Sequence, residues 1–135
     1  MRIILIFWKT FTWAFIVLIL SLLPGGEVEK AKFINIPHFD KIVHFVMYYT
    51  LNFLLIASLI AKKKLTKPDV QIFLTALACA LAYGGVMEFV QGMFAVNRSG
   101  DIFDFAANTL GAFAATFSFL PITSKLNFVN KILRL

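Results

Sequence analysis

Four long apolar stretches, separated by short polar segments, predict four membrane-spanning helices. A helix needs roughly 20 mostly apolar residues to cross the hydrocarbon core of a bilayer. The stretches that meet this length lie at about 3–23, 41–61, 70–91 and 102–120. Pro24 follows the first stretch and Pro121 follows the fourth. Because proline interrupts a helix, we predict that these two helices end there.

The two ends of the chain need separate interpretation. The first stretch lacks a small-residue cleavage site and its apolar run is too long for a signal peptide, so we predict a retained helix. In the tail, 126–134, apolar residues lie on one side of a helical pattern, with Lys125, Lys131 and Arg134 around them. That pattern is typical of a short helix on the membrane surface. A frayed tail is the alternative.

Composition agrees with a membrane protein of one domain. The 135 residues are 60% hydrophobic and 15% charged, against about 25% charged in soluble proteins, and the mean hydropathy is +0.84. The net charge of +6 does not indicate nucleic-acid binding, because the chain has no aromatic-and-basic RNA signature and no helix-turn-helix pattern. Cys79 is the only cysteine, which excludes an intrachain disulfide and a thiolate metal cluster.

Lysine and arginine are distributed unequally between the two sides of the predicted bundle. Nine of the thirteen lie in the N-terminus, the loop between the second and third helices, and the C-terminal tail. The opposite side carries four, together with six of the seven acidic residues. Basic loops stay in the cytoplasm. We therefore predict an all-α, polytopic membrane four-helix bundle in a single domain over 1–135, with both termini cytoplasmic and a short interfacial C-terminal helix.

Polar residues that are unusual in a membrane segment all fall at the outer end of this bundle. The two polar residues on each of these helices are three or four positions apart, and this spacing places them on the same face of the helix. Buried polar groups in a membrane are costly and mark functional sites. We therefore predict an outward-facing polar pocket whose ligand-binding residues are Asp40, His44, Glu88, Gln91, Arg98, Asp104 and Asn108.

Small residues form a stripe on the third and on the fourth predicted helix. The third carries Ala76, Ala80 and Gly84, and the fourth carries Gly111 and Ala115. Small residues let helix backbones approach closely in lipid. Because a short loop joins these two helices, we predict that the stripes pack against each other and bring the polar residues together.

The acidic residues at this end have specific expected roles. Glu88 lies below the outer boundary, where a bare carboxylate is costly, so we expect it to pair with Arg98 or His44, or to be protonated. Asp40 and Asp101 have a simpler interpretation as N-caps of the second and fourth helices.

The ordered motifs resemble those of the VanZ-like family of small bacterial membrane proteins. They are DKIVHF at 40–45, EFVQ at 88–91 and RSGDIFDFAAN at 98–108, followed by Gly111. The resemblance covers about 36–115, and the matching residues are Asp40, Lys41, His44, Glu88, Gln91, Arg98, Asp104 and Asn108. It implies a multi-pass protein of the bacterial cytoplasmic membrane. The founding member of that family is tied to low-level resistance to the glycopeptide teicoplanin, but the resemblance supplies no settled reaction.

Four functions are compatible with this pattern. A binding protein would hold an envelope lipid or an anionic precursor head group in the polar pocket. An enzyme would use His44, Glu88 or Asp104 for acid–base chemistry, with Arg98 gripping a phosphate or carboxylate. A transporter or flippase built from only four helices would require a homo-oligomer. The fourth function is purely structural: the polar cluster would fix helix packing.

Binding is favoured slightly over catalysis because the sequence offers no persuasive nucleophile. A divalent metal held by His44, Glu88 and Asp104 fits by residue type, but the spacings match no standard metal motif. We therefore predict no metal and no cofactor, with membrane lipid as a partner.

Overall fold

The computed structural model describes residues 2–23, 38–65, 68–94 and 101–126, and these form four helices. They are α1 (Arg2–Leu22), α2 (Phe39–Lys63), α3 (Val70–Phe94) and α4 (Ile102–Leu126). All four are long and apolar enough to span a membrane, and the described residues contain no strand. The predicted all-α fold of four membrane-spanning helices is confirmed. Arg98 and almost all of the predicted tail helix lie outside the described residues.

The fourth helix does not end at Pro121, so that predicted boundary is wrong. It continues to Leu126 with Pro121 inside it. Proline removes one backbone N–H donor, which leaves the carbonyl of Phe117 without its usual partner. Membrane helices tolerate such a proline when side chains and neighbouring helices satisfy nearby backbone groups. Here the Thr123 hydroxyl donates to the carbonyl oxygen of Phe119 at 2.7 Å, which ties the turn around the proline.

The two predicted N-caps have different outcomes. Asp101 is the N-cap of α4, since its Oδ1 accepts a hydrogen bond from the backbone N–H of Phe103 at 2.9 Å. Asp40 is not the N-cap of α2, because the helix begins earlier, after His38, whose backbone is left-handed with φ of 59°. Asp40 lies in the first turn instead, where a carboxylate complements the positive end of the helix.

Glycine at position 111 brings α4 closest to α2 and not to α3. A Cβ built on Gly111 would lie 2.2 Å from the carbonyl oxygen of Phe45 and 3.0 Å from the backbone nitrogen of Tyr49. The interface between α2 and α4 is the most extensive in the bundle. The predicted packing of Gly111 against α3 is therefore wrong.

Both small-residue stripes nevertheless face the interior of the bundle. Ala76, Ala80 and Gly84 are buried on α3, and Gly111 and Ala115 are buried on α4. Gly84 lies between the other two helices: its Cβ would meet the ring of Tyr48 at 3.2 Å and the Cβ of Asn108 at 3.7 Å. The stripes thus allow close approach as expected. For Gly111 the close neighbour is α2, while Asn108 on the same helix contacts α3.

The first helix is held to α2 and α3 by side-chain hydrogen bonds, and the one from α3 is donated by the Tyr83 hydroxyl to the carbonyl oxygen of Ala14 at 2.7 Å. The hydroxyls of Thr10 and Ser58 lie 2.9 Å apart, and Trp13 Nε1 donates to the carbonyl oxygen of Met47 at 2.9 Å. Because the later residue of α1 contacts the earlier residue of α2, the two helices run antiparallel. The first three helices therefore alternate in direction, and α4 again runs antiparallel to α3, which places the start of α2, the end of α3 and the start of α4 at one end.

Candidate functional site

Six of the seven predicted ligand-binding residues lie at that end of the bundle. Four of them are buried, and Asp40 and Glu88 are partly buried. Two come from the start of α2, two from the last turns of α3 and two from the first turns of α4: Asp40, His44, Glu88, Gln91, Asp104 and Asn108. The seventh, Arg98, lies outside the described residues.

A chain of hydrogen bonds, buried at His44 and partly buried at Glu88, joins one side chain from each of these helices. Asn108 Nδ2 donates to Glu88 Oε1 at 3.0 Å, and Asn108 Oδ1 lies 3.0 Å from His44 Nδ1. Since an amide oxygen only accepts, Nδ1 of His44 must carry the proton and donate. Asn108 therefore fixes both the tautomer of His44 and the position of the Glu88 carboxylate.

The imidazole of His44 lies between two carboxylates. Its Nδ1 is 3.8 Å from Glu88 Oε1, and its Nε2 is 3.7 Å from Asp104 Oδ2. Both nitrogens of a protonated imidazole donate, whereas the neutral ring accepts at one of them. Of the alternatives expected for Glu88, pairing with Arg98 lies outside the described residues, and His44 is linked to Glu88 through Asn108. Both separations are longer than a direct hydrogen bond, so the contact of His44 with each carboxylate is electrostatic.

Lys41, which belongs to the family motif but not to the predicted ligand-binding set, is also part of the site. Its Nζ donates to Asp104 at 2.7 Å and to Asp40 and Asp101 at 3.0 Å each. An ammonium group has three N–H donors, so all are used. The sequence contains a signal for this role, because Lys41 precedes His44 by three residues and lies at the same end of α2. Within the described ranges, Lys41 is the cation that neutralises the aspartates.

Asp101 connects this ion cluster to Glu88. Its backbone N–H donates to Glu88 Oε2 at 3.3 Å, while its side chain binds Lys41 and caps α4. The backbone N–H of Phe103 and the Lys41 ammonium hold the pKa of Asp101 below its ordinary value. Asp101 is therefore ionised at neutral pH, and the stability it contributes is lost as the pH falls through that lowered pKa.

Polar side chains continue from His44 only about halfway along α2. Tyr48 and Asn52 follow it at four-residue spacing and are fully buried. Asn52 Nδ2 donates to the carbonyl oxygen of Ala112 at 2.7 Å, whereas the Tyr48 hydroxyl and Asn52 Oδ1 have no partner among the described residues. Beyond Asn52 the buried polar residue on α2 is Ser58, which is bonded to Thr10 of α1. Around it lies an apolar cluster formed by Ile56, Ala57, Ile60, Ile72, Ala76 and Phe119.

A groove opens on the outer surface of the bundle between the ends of α3 and α4. It has a volume of about 450 Å³ and is lined by Gly85, Glu88, Phe89, Asp101, Ile102 and Phe105. Phe89 and Ile102 are 68% and 73% exposed. The space between α2, α3 and α4 is filled by the His44–Asn108–Glu88 chain, so the open volume lies beside it. Glu88 belongs both to the hydrogen-bonded chain and to the lining of the groove.

No three His, Cys, Asp or Glu side chains in the described ranges are arranged to hold a metal ion. The carboxylates of Asp40, Asp101 and Asp104 converge on the Lys41 ammonium instead.

The chain belongs to the VanZ/LLP1 family, whose sequence model matches residues 1–124. No curated protein and no solved structure matches it. The family match confirms the resemblance carried by the motifs at 40–45, 88–91 and 98–108, and it extends over α1 as well. Together with the four apolar helices, it identifies a multi-pass membrane protein.

Proposed function

We propose that this protein binds the head group of an envelope lipid in the groove between α3 and α4, on the outer side of the bacterial cytoplasmic membrane. The observation that carries the proposal is the double role of Glu88. Its carboxylate lines the groove and also ends the hydrogen-bonded chain from His44 through Asn108. The exposed side chains of Phe89 and Ile102 provide apolar walls for an acyl or isoprenoid chain.

Glu88 is held in a fixed position with capacity to accept further hydrogen bonds. A carboxylate offers about four acceptor sites. Among the described residues, one site is used by Asn108 Nδ2 and one by the backbone N–H of Asp101. A ligand that enters the groove therefore meets an acceptor that needs little reorganisation, which favours binding.

The interior of the bundle supports binding over transport. The row of polar side chains that begins at His44 ends at Asn52, and the apolar cluster around Ile56 and Phe119 follows. The hydroxyls of Thr10 and Ser58, which are buried in that half, are bonded to each other. A head group crossing the membrane through this bundle would therefore have to pass that cluster with few hydrogen-bond partners, which is costly.

A Glu88→Gln variant tests the proposal. Loss of a hydrogen bond to a charged group weakens binding by about 1.5–3 kcal/mol, so we expect retention of co-purified envelope lipid to fall at least about tenfold. Native mass spectrometry of the purified protein measures it. Asp69→Asn is the matched control, because Asp69 is half exposed and pairs with Lys63 at the other end of the bundle. Equal lipid retention in Glu88→Gln and the wild type would contradict the proposal.

The same site connects the proposal to teicoplanin resistance. A protein that holds a lipid-linked envelope precursor would change the access of a glycopeptide to it. Expression in a teicoplanin-sensitive host should therefore raise the inhibitory concentration, and Glu88→Gln should abolish the rise. An unchanged inhibitory concentration for the wild type, with lipid binding intact, would separate binding from resistance.

Acid–base catalysis on the bound head group is a second candidate function. It is favoured by the position of His44, whose two ring nitrogens lie 3.8 and 3.7 Å from the carboxylates of Glu88 and Asp104. Proton transfer by positioned side chains of this type is the basis of general acid–base catalysis. His44→Gln should then abolish turnover of a labelled envelope lipid while its binding persists. Binding without turnover in the wild type would leave the first function alone.

The outward placement of the site rests on the unequal distribution of lysine and arginine. Reporter fusions after Leu65 and at the C-terminus should both report a cytoplasmic location, and a fusion at Asn97 should report an external one. An external C-terminus would place the groove on the cytoplasmic side.

A further inference from the structure

The groove offers hydrogen-bond acceptors and, among its described lining residues, no cationic side chain. The polar groups that line it are the carboxylates of Glu88 and Asp101. The nearest cation with described contacts is Lys41, whose three donors are used by Asp40, Asp101 and Asp104. An anionic head group would therefore find negative charge at the floor of the groove and no free donor on Lys41.

The charge of the whole polar end points in the same direction. The segments on this side of the chain carry six acidic residues and four basic ones, Arg98 included. The net charge is therefore −2 with His44 neutral, wherever the side chain of Arg98 lies. A cleft of one charge sign raises the local concentration of ligands with the opposite sign.

The cluster beside the groove already binds an ammonium group. Lys41 Nζ lies 2.7–3.0 Å from oxygens of three aspartates, and Asp101 is shared between that cluster and the groove. Asp101 gives one oxygen to Lys41 and the other to the backbone N–H of Phe103. Each carboxylate oxygen has two lone pairs, so acceptor capacity remains on Asp101, as it does on Glu88.

We propose that the lipid recognised by this groove carries an ammonium group in its head, which binds between Glu88 and Asp101 while an acyl chain lies along Phe89, Ile102 and Phe105. This inference rests on the proposed lipid-binding function and names the chemistry of its ligand. Glu88 lies six residues before the end of α3, roughly 9 Å along the axis, which suits a head group entering from the membrane surface.

The test compares lipids that differ only in their head groups. Phosphatidylethanolamine, which carries an ammonium, and phosphatidylglycerol, which carries hydroxyls, are added with identical acyl chains to the purified wild-type protein. Native mass spectrometry gives the apparent dissociation constants. We expect phosphatidylethanolamine to bind about tenfold tighter, because one charge-assisted contact contributes about that much. The Glu88→Gln/Asp101→Asn variant should bind both lipids with dissociation constants within about twofold of each other.

Controls separate the two proposals. Asparagine caps a helix as well as aspartate does, so Asp101→Asn preserves the start of α4. If the double variant unfolds, Glu88→Gln alone supplies the comparison, and Asp69→Asn should keep the wild-type preference. Equal binding of both lipids by the wild type, lost in Glu88→Gln, would overturn the ammonium inference and leave lipid binding in place. Preference for phosphatidylglycerol would also overturn it, and binding of neither lipid would overturn the proposed function itself.

Discussion

Replacing Gly111 with alanine should destabilise the bundle strongly, although it adds a single methyl group. A Cβ at this position would lie 2.2 Å from the carbonyl oxygen of Phe45 and 3.0 Å from the backbone nitrogen of Tyr49. Both are backbone atoms of α2, so no side-chain rotation can make room. Overpacking typically costs 1–3 kcal/mol, and we expect about 3 kcal/mol here because two helix axes must separate. Thermal or denaturant unfolding in detergent measures the loss.

Two neighbouring glycines on α3 provide matched controls for the same substitution. At Gly85 a Cβ would lie 3.8 Å from the Phe105 ring, which is ordinary contact. At Gly84 the nearest would be in the Tyr48 ring at 3.2 Å, and that ring has some freedom to shift. The stability loss should therefore fall in the order Gly111, Gly84, Gly85. If Gly111→Ala were as stable as Gly85→Ala, α2 and α4 would not approach as closely as the structure places them.

The helices were predictable from the sequence because lipid imposes one simple rule on each of them. A spanning helix must be apolar over its whole length, so the length of each apolar stretch locates it. α3 was predicted at 70–91 and runs from Val70 to Phe94. The rule does not tell whether a helix ends at a proline or continues past it. Pro121 is an example, since α4 continues past it while the Thr123 hydroxyl binds a carbonyl of the preceding turn.

Helix partners were less predictable than helix faces. Spacing alone placed Gly84 and Gly111 on the inner faces of α3 and α4, and both are buried. Spacing does not say which of two inner neighbours a face will meet. The short connection between α3 and α4 favoured that pair, yet the backbone of α2 lies against Gly111. That choice depends on the packing of all the helices together.

In the candidate site, too, the depth of each residue in its helix was predictable, whereas its hydrogen-bond partner was not. The convergence of His44, Glu88 and Asn108 followed from their depth in each helix and their helical spacing. Asn108 as the bridge between the other two could not be read from the sequence, because its partners are 64 and 20 residues away. Lys41 matches the family motif but is absent from the predicted ligand-binding set, because a lysine in the first turn of a membrane helix usually extends toward water. Here it turns to aspartates that include Asp101, 60 residues later.

Replacing Lys41 with methionine should destabilise the protein by roughly 3 kcal/mol, because it leaves a buried carboxylate without its partner. Most of this loss belongs to Asp104, whose side chain is 9% exposed and lies 2.7 Å from Lys41 Nζ. Asp40 and Asp101 are about a third exposed, so water replaces much of what they lose. Methionine keeps most of the length of the lysine stem and removes only its charge. Unfolding in detergent at neutral pH measures the difference.

Lys63→Met is the matched control for the loss of a lysine charge. Lys63 pairs with Asp69 at 3.5 Å at the opposite end of the bundle, and their side chains are 39% and 49% exposed. Exposed pairs of this type contribute at most about 1 kcal/mol. A loss in Lys41→Met no larger than in Lys63→Met would mean that the three aspartates are solvated and that Lys41 does not hold α2 to α4.

A second substitution distinguishes the loss of the Lys41–Asp104 attraction from the cost of leaving the Asp104 carboxylate buried without a partner. In Lys41→Met/Asp104→Asn the buried carboxylate is gone as well, and an amide is less costly to bury than an unpaired charge. The double variant should therefore recover part of the stability that Lys41→Met loses, so the two substitutions are not additive. Recovery would identify Asp104 as the group that Lys41 neutralises. If the two losses simply add, Lys41 and Asp104 act independently, and the cation that balances the acidic end of the bundle must be sought elsewhere, with Arg98 as the first residue to replace.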